Sequence, residues 1–291
     1  MAGIHVVTDS ACDLTPELAE ARGIRVVPLT IRFGDEELVD QVELSAKEFW
    51  DRVITGPDMP QTAAPAPGAF QQAFLAAADQ GADGVVCIDL SSGVSATYQS
   101  AVAAANAVGD RIPVAVIDSR TVTMGTGLLT LAAADLAATG MPLAELVAEI
   151  EAMKARTSVH GVIDTLDFLR RGGRIGGAAR LIGSMLSIKP VIEVRDGVVE
   201  VESKQRTRIR SLEYLASKAR QAGAIDRIAV VNGAAGDIEV LLGMLDGIES
   251  VHDRVVTDLG PVVGSHAGPG TIGLCMVRAA DAPGQDPGPN G

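Results

Sequence analysis

The sequence predicts an α/β protein of two domains, and three observations support that prediction. Its 291 residues are enough for two ordinary domains. Strand-like and helical runs alternate from residue 4 to about 156, which indicates βαβ units and a parallel sheet. A hairpin then interrupts the alternation, so the second half is expected to be α+β. We predict a Rossmann-like α/β domain at 1–157, an α+β domain at 158–279 and a disordered tail at 280–291.

Apolar runs and the residues that end them place the elements of the first half. Ser45-Ala46-Lys47-Glu48 is a capping box that begins a helix towards residue 55. The turn Phe33-Gly34-Asp35-Glu36 predicts a hairpin at 30–40, and the segment 30–60 is able to pack on the second domain. The four prolines of 56–68 predict an irregular loop. Strands are predicted at 4–8, 24–29, 84–88 and 113–117, and helices at 15–22, from 69, and at 95–108, 124–138 and 143–156.

The second half mixes a hairpin with strand–helix crossovers. Asp196-Gly197 is the turn of the predicted hairpin. The glycine-rich run 172–177 is expected to be a joint, and 260–270 a glycine-rich loop that carries His266. Strands are predicted at 159–163, 188–194, 198–204, 227–231, 251–258 and 271–277, and helices at 165–171, 178–186, 208–221 and 237–245.

Charge and cysteine usage exclude several classes of function. A net charge of −13 argues against nucleic acid and anionic membrane surfaces as partners. Residues 156–220 nevertheless hold 13 Lys or Arg against 7 Asp or Glu, which indicates either a localised anionic partner or an ordinary solvated face. Cys12, Cys87 and Cys275 lack the spacing of a zinc site or disulfide framework, so a reducing cytoplasm is expected. We expect neither a signal peptide nor a membrane span.

Polar side chains follow three strands of the predicted parallel sheet. Asp9-Ser10, Ser91-Ser92 and Asp118-Ser119 each stand where a strand ends. Ligands of open parallel sheets bind beyond the carboxyl ends of the strands, so these pairs are expected to line one crevice. Ser91 to Thr97 also precedes a predicted helix, whose N-terminus would favour an anionic group. Alternatively, these hydroxyls simply cap the helix.

The familiar catalytic motifs are incomplete. A nucleophile elbow needs a second glycine where Gly93-Val94-Ser95-Ala96-Thr97 has threonine. The run 172–177 lacks the Lys-Ser/Thr ending of a Walker loop, and His266 without a Cys or second His nearby is a poor metal ligand. We predict no metal and no cofactor. Two interpretations stay open: an acyl-transferring or ester-hydrolysing enzyme that uses Ser92 or Ser95 with His266, and a site for a small anionic head on a long apolar body.

The chain resembles the DegV family, the fatty-acid-binding component that works with a bacterial fatty acid kinase. The resemblance runs over nearly the whole chain. It rests on several motifs in order: Val7-Thr8-Asp9-Ser10, Thr62-Ala63-Ala64-Pro65-Ala66-Pro67-Gly68, Ser91-Ser92-Gly93-Val94-Ser95-Ala96-Thr97-Tyr98, Ile117-Asp118-Ser119, Leu169-Arg170-Arg171-Gly172-Gly173-Arg174-Ile175, Ile188-Lys189-Pro190, Gly260-Pro261-Val262-Val263-Gly264-Ser265-His266 and Gly268-Pro269-Gly270.

The resemblance implies a monomeric lipid-binding protein that is not itself an enzyme. One long-chain fatty acid such as palmitate would lie in a tunnel between the domains. Thr62 and Ser92 would bind its carboxylate, with Ser95 and His266 close by. A separate kinase would phosphorylate the carboxylate, and the acyl phosphate would enter phospholipid synthesis. The expected pocket neighbours are Asp9, Ser10, Ser91, Gly93, Thr97 and Ser119, and the residues expected to dock the kinase or neutralise acyl phosphate are Arg170, Arg174, Arg206 and Arg208.

Overall fold

Three sheets and the helices around them organise the chain in a computed structural model, which describes residues 3–183 and 188–280. The first part contains β1 Ile4–Asp9, α1 Pro16–Ala21, β2 Arg25–Val27, β3 Thr30–Phe33, β4 Glu36–Val39, α2 Ala46–Thr55, β5 Gln61–Ala63, α3 Pro67–Asp79, β6 Gly84–Asp89, α4 Thr97–Val108, β7 Val114–Asp118, α5 Met124–Ala138 and α6 Leu143–Lys154. The second part contains β8 Thr157–Val162, α7 Asp167–Arg171, β9 Lys189–Arg195, β10 Val198–Gln205, α8 Arg208–Gln221, β11 Ile225–Gly233, α9 Ile238–Met244, β12 Val255–Asp258, α10 Pro261–Ala267 and β13 Thr271–Arg278.

The first sheet is the predicted parallel sheet. Its strand order is β2-β1-β6-β7, and every neighbouring pair is parallel. All six residues of β6 are buried, as expected for a central strand that helices cover on both faces. The Rossmann-like α/β region is therefore confirmed. The carboxyl ends of all four strands lie at one edge of this sheet.

The second sheet is mostly antiparallel, which confirms the α+β prediction. Its order is β10-β9-β8-β13-β11-β12, and only the β11–β12 pair is parallel. It begins at Thr157, next to the expected domain boundary. The hairpin at Asp196-Gly197 joins β9 to β10 as predicted, with both turn residues at positive φ.

Helix α5 joins the first and second sheets. Eleven of its 15 residues are buried, and these are the consecutive residues 124–134, so buried positions lie on every side of the helix. It packs on β1 and β6 of the first sheet and on β11 and β13 of the second. The largest buried core accordingly contains Val86 of the first sheet and Val231 of the second. Because buried residues surround this part of the helix, strands of both sheets pack against it.

The third sheet is small and has the order β4-β3-β5. The predicted capping box begins α2: the Glu48 backbone N–H donates to Ser45 Oγ, and the Ser45 backbone N–H donates to Glu48 Oε2. The Trp50 indole N–H in α2 donates to the carbonyl oxygen of Leu259 at 2.9 Å. The segment 30–60 therefore contacts residues of the second half.

Several predicted bounds were wrong. The loop 56–68 contains β5, which pairs with β3. This pairing is a tertiary contact, and a segment of three residues carries no sequence pattern that predicts it. The loop 260–270 contains α10, which begins with Pro261 at its first position. Helix α4 begins at Thr97 rather than at residue 95, and β12 begins at Val255 rather than at 251.

The predicted helix 178–186 is also wrong where the structure describes it. A 3₁₀ turn, Gly176–Leu181, occupies its start, and residues 184–187 lie outside the described residues. The predicted tail lies outside them too, apart from Ala280. No helix in the described ranges is long and apolar enough to cross a membrane.

Candidate functional site

A cavity of about 190 Å³ lies between the carboxyl end of the parallel sheet and one face of the second sheet. This is more than ten times the space that one buried water needs. The first sheet contributes the residues that follow its strands, including Leu29, Leu90 and Val122. The second sheet contributes side chains of β8 to β11 and β13, and α10 contributes Val262 and Val263. The cavity is therefore lined mainly by aliphatic side chains, as expected for an apolar ligand.

One corner of the cavity is polar. Thr62 in β5 and His266 in α10 meet there, with Thr62 Oγ1 2.9 Å from His266 Nε2. Burial, and secondarily the positive charge of Arg174, lowers the pKa of His266 to about 4. The imidazole is therefore neutral at pH 7, with one ring nitrogen protonated. Its Nδ1 atom is buried and has no hydrogen-bond partner in the described part of the chain.

Ser95 brings a second hydroxyl to this cavity. Its Oγ lies 2.9 Å from Thr97 Oγ1 and accepts a hydrogen bond from the Thr97 backbone N–H at 3.2 Å. Thr97 is the first residue of α4, a helix of 12 residues, and Ala96 supplies no side-chain cap. Ser95 therefore stands at a helix N-terminus with free N–H groups and partial positive charge, which favours an anion beside it.

Arg174 also lines the cavity, and it is the sole Lys or Arg among the described lining residues. Its Nε donates to the Val94 carbonyl oxygen at 2.9 Å, and its guanidinium donates to the Gly172 carbonyl oxygen at 2.6 Å. A Cβ on Gly172 would come within 2.1 Å of His266 Nδ1, so only glycine allows this approach. The glycine run predicted as a joint thus brings Arg174 and His266 together.

Ser92 does not line the cavity. Its hydroxyl donates to Asp118 Oδ2 at 2.5 Å, and its backbone N–H donates to Asp118 Oδ1 at 3.1 Å. These bonds tie the turn after β6 to the end of β7. The expected role of Ser92 as a carboxylate ligand stays a prediction. In the structure its hydroxyl donates its hydrogen bond to Asp118, which does not line the cavity.

The strand-end residues Asp9 and Ser10 do lie together at one edge of the parallel sheet. Both oxygens of Asp9 accept backbone N–H groups, from Ala11 at 2.8 Å and Leu90 at 2.7 Å. Ser10 Oγ accepts from the Leu29 backbone N–H at 3.0 Å. They stabilise the turns that follow the strands and do not line the cavity.

The remaining residues expected beside the pocket also form their contacts away from the cavity, as Asp9 and Ser10 do. Ser91 Oγ donates to the Gly197 carbonyl oxygen at 2.8 Å, across to the hairpin of the second sheet. Gly93 packs against the same carbonyl, where a Cβ would approach to 2.8 Å. Ser119 Oγ lies 3.0 Å from Thr126 Oγ1 in α5. None of these residues lines the cavity, and neither does the expected neighbour Thr97.

The other arginines of the basic segment lie outside the cavity. Arg170 is exposed and pairs with Asp167, and Arg206 is exposed. Arg208 forms two 2.9 Å bonds to Asp237, so its charge is already compensated. Of the four arginines expected to dock the kinase or neutralise acyl phosphate, Arg170 and Arg206 are the exposed ones.

The geometry does not assemble a catalytic triad in the described residues. Ser92 is bonded to Asp118, Ser95 to Thr97, and His266 to Thr62. A nucleophile and its base must lie within hydrogen-bond reach of each other, and neither serine does so with His266.

A group with metal-ligand chemistry lies near the second sheet's other face, and the sequence analysis missed it. His160, Glu193 and Glu202 have ligand atoms within 4.8 Å of one another. Lys218 Nζ lies 2.6 Å from Glu202 Oε1, and Arg195 pairs with Glu193. Two cations already balance the two carboxylates, so this cluster is an ion-pair network in the structure.

Comparison with known proteins agrees with this architecture. A DegV domain-containing protein of Deinococcus radiodurans is 37% identical over 278 residues, which cover 94% of this chain and 98% of that protein. A structure described as fatty acid binding of a DegV family protein from Thermus thermophilus has a TM-score of 0.87 and 31% identity, covering 95% of this chain and all of that one. A stearic-acid-binding protein from Eubacterium ventriosum has a TM-score of 0.84 and 27% identity, covering 96% and 98%.

The family described as "Uncharacterised protein, DegV family" matches residues 3–279. That match spans both the parallel sheet and the antiparallel sheet, and it includes every residue of the polar corner. The chain belongs to the DegV family.

Proposed function

We propose that this protein binds one long-chain fatty acid, such as palmitate, and presents its carboxylate to a separate kinase. The observation that supports this most strongly is a mainly apolar cavity with a polar corner, formed by Thr62, Ser95, Arg174 and His266. Such a site matches a ligand with one small anionic end and a long apolar body. The similar structures from Thermus thermophilus and Eubacterium ventriosum are described as binding fatty acids.

The carboxylate would be held by a relay of hydrogen bonds. Neutral His266 with its proton on Nε2 donates to Thr62 Oγ1, which leaves the Thr62 hydroxyl hydrogen free to donate to the carboxylate. The Ser95 hydroxyl and the N-terminus of α4 supply further donors. The guanidinium of Arg174 compensates the negative charge, which a buried carboxylate requires.

The acyl chain supplies most of the affinity. Burying a palmitoyl chain at about 0.8 kcal/mol per CH₂ gives roughly 10 kcal/mol before the costs of binding. The polar corner therefore fixes the orientation of the ligand, while the aliphatic lining retains it.

The protein supplies no phosphoryl-transfer step in this proposal. The kinase would dock at the exposed guanidiniums of Arg170 and Arg206, and Arg174 would neutralise the acyl phosphate as it forms. The acyl phosphate would then enter phospholipid synthesis. We place the protein in the cytoplasm as a monomer; its three buried free cysteines fit a reducing compartment.

A reconstituted kinase assay tests the presenting role. ATP-dependent acyl phosphate formation by a bacterial fatty acid kinase should require this protein loaded with palmitate. Arg170→Glu combined with Arg206→Glu should lower the rate about tenfold or more, because repulsion replaces attraction at the docking surface. Arg111→Glu, an exposed charge reversal outside residues 156–220, is the control. Full activity of the double variant would contradict this docking site.

A further inference from the structure

Four residues form one row across the cavity face of the second sheet. Ile192 of β9 is opposite Gly161 of β8, Gly161 is opposite Gly273 of β13, and Gly273 is opposite Val231 of β11. All four line the cavity. Two adjacent glycines between two β-branched side chains leave a slot whose floor is backbone.

The side chain direction at residue 161 follows from its neighbours. Val159 precedes it by two residues and therefore lies on the same face of β8, and Val159 lines the cavity and belongs to the core around α5. Val162 lies on the opposite face and packs in the core under α8. A side chain at 161 would thus extend towards the cavity.

The protein's own packing does not explain glycine at position 161. Glycine in the interior of a strand is destabilising, and Gly161 does not have a positive φ that would require it. A Cβ there would lie 3.5 Å from Ile192 Cγ1 and 3.9 Å from the Ile272 carbonyl oxygen, which are ordinary contacts. Alanine would therefore fit. Gly273 differs, because its Cβ would come within 2.5 Å of Val231 Cγ2.

The slot is separated from the polar corner along β13. Thr271, at the start of β13, donates to the Ala267 carbonyl oxygen at 3.1 Å, next to His266 in α10. Gly273 follows two residues further along the strand, and Cys275 is opposite Val159 beyond it. At about 3.3 Å per residue the glycine pair is roughly 7 Å further along β13 than Thr271.

We propose that Gly161 is a specificity-determining residue: its missing side chain keeps open the space that the distal methylenes of the acyl chain occupy, and so sets the longest chain that the cavity accepts. This inference rests on the proposed fatty-acid binding. It assigns a role to a strand glycine that neither the fold nor the polar corner requires. Val159, on the same face, narrows the cavity beyond the slot.

Competition between chain lengths tests this role. Delipidated protein is incubated with equimolar myristate, palmitate and stearate, and the bound acids are extracted and quantified by mass spectrometry. Gly161→Ala should shift the stearate-to-myristate ratio towards myristate by about tenfold, because the added methyl overfills the slot. Val159→Ala, which enlarges the same wall, should shift the ratio the other way.

Two controls separate the possible outcomes. Gly243→Ala in α9 adds a methyl group where nothing lies within 4 Å and should keep the wild-type ratio. Gly161→Ala should also melt no lower than the wild type when both are delipidated, since alanine fits the strand. If the wild type binds fatty acid fully and Gly161→Ala keeps the wild-type stearate-to-myristate ratio, this inference is overturned but the proposed function is not. A wild type that binds none of the acids would overturn the proposed function and this inference with it.

Discussion

Thr62, Ser95, Arg174 and His266 converge on one corner although they come from four separate segments of the chain. His266 illustrates why burial matters at this scale. Its lowered pKa of about 4 keeps the ring neutral, so it hydrogen-bonds the Thr62 hydroxyl without adding a charge. Arg174 then carries the positive charge of the corner, which suits a carboxylate ligand.

Thr62→Val should weaken palmitate binding by about 10- to 100-fold. The substitution keeps the shape of the side chain but removes a hydrogen bond to a charged group, which contributes about 1.5–3 kcal/mol. Fluorescent fatty-acid displacement from the delipidated protein would measure the change. Ser95→Ala should have an effect in the same direction.

Ser92→Ala is the informative counterpart of Thr62→Val. The Ser92 hydroxyl donates to Asp118 and lies outside the cavity, so palmitate affinity should stay within about twofold while the melting temperature falls slightly. Equal losses of affinity in Ser92→Ala and Thr62→Val would instead support the direct carboxylate role that the family pattern implies.

The sequence predicted the residue types of the site better than their roles. Thr62 and His266 were singled out, and the structure brings them to 2.9 Å of each other. Arg174 was expected to dock the kinase or neutralise acyl phosphate, and it lines the cavity. Ser92 and Ser95 look equivalent in sequence because both precede a helix. The structure distinguishes them by their partners: Ser92 is hydrogen-bonded to Asp118, whereas Ser95 lies beside Thr97.

At the scale of elements, strongly patterned segments were predictable and short ones were not. The helix predicted at 124–138 has those bounds, because a run of fifteen mostly apolar residues is typical of a buried helix. Strand β5 has three residues and forms by pairing with β3, a contact that local sequence does not encode. Because β5 carries Thr62, a strand that the sequence did not predict places one of the polar residues of the cavity.

Trp50→Phe should lower the free energy of unfolding by about 0.5–1.5 kcal/mol. The indole N–H of Trp50 donates to Leu259, which connects α2 to the segment just before α10. Phenylalanine fills most of the space but leaves the Leu259 carbonyl oxygen without this donor. Urea unfolding followed by circular dichroism would measure the difference, and unchanged stability would contradict a structural role for this bond.

At the scale of the whole molecule, four buried carboxyl groups lie near enough to one another to interact. Burial raises the pKa of Asp9 and Asp40 to about 7, and it also raises the pKa of Asp13 and Asp89. Asp13 links distant segments, because it accepts hydrogen bonds from Thr123 before α5 and from Gly260 before α10. The pH dependence of stability should therefore reflect this junction.

Asp40→Asn should raise stability at pH 8 and reduce its dependence on pH. Asp40 is fully buried, and burial raises the pKa of its carboxyl more than hydrogen bonding by Ser10 and the Gln41 backbone lowers it. The folded protein holds its proton up to about pH 7, whereas the unfolded chain releases it near 3.8. Stability from this group is thus present below about pH 4 and lost as the pH rises to about 7, by up to about 4 kcal/mol.

Melting curves of Asp40→Asn and the wild type at pH 5 and pH 8 would measure this contribution. Neutral His266 acts in the opposite sense below pH 6.5, but it is common to both proteins and cancels in the comparison. A wild type that gains stability relative to Asp40→Asn between pH 5 and pH 8 would contradict the assignment.

The central claim is that the cavity holds a fatty acid without covalent attachment. Native mass spectrometry of the protein, purified without added lipid, tests it most directly. We predict one long-chain fatty acid per chain under native conditions, the unmodified chain mass after denaturation, and reduced occupancy in Thr62→Val. An empty wild-type protein, a ligand without a carboxylate, or an acyl group that survives denaturation would contradict the account.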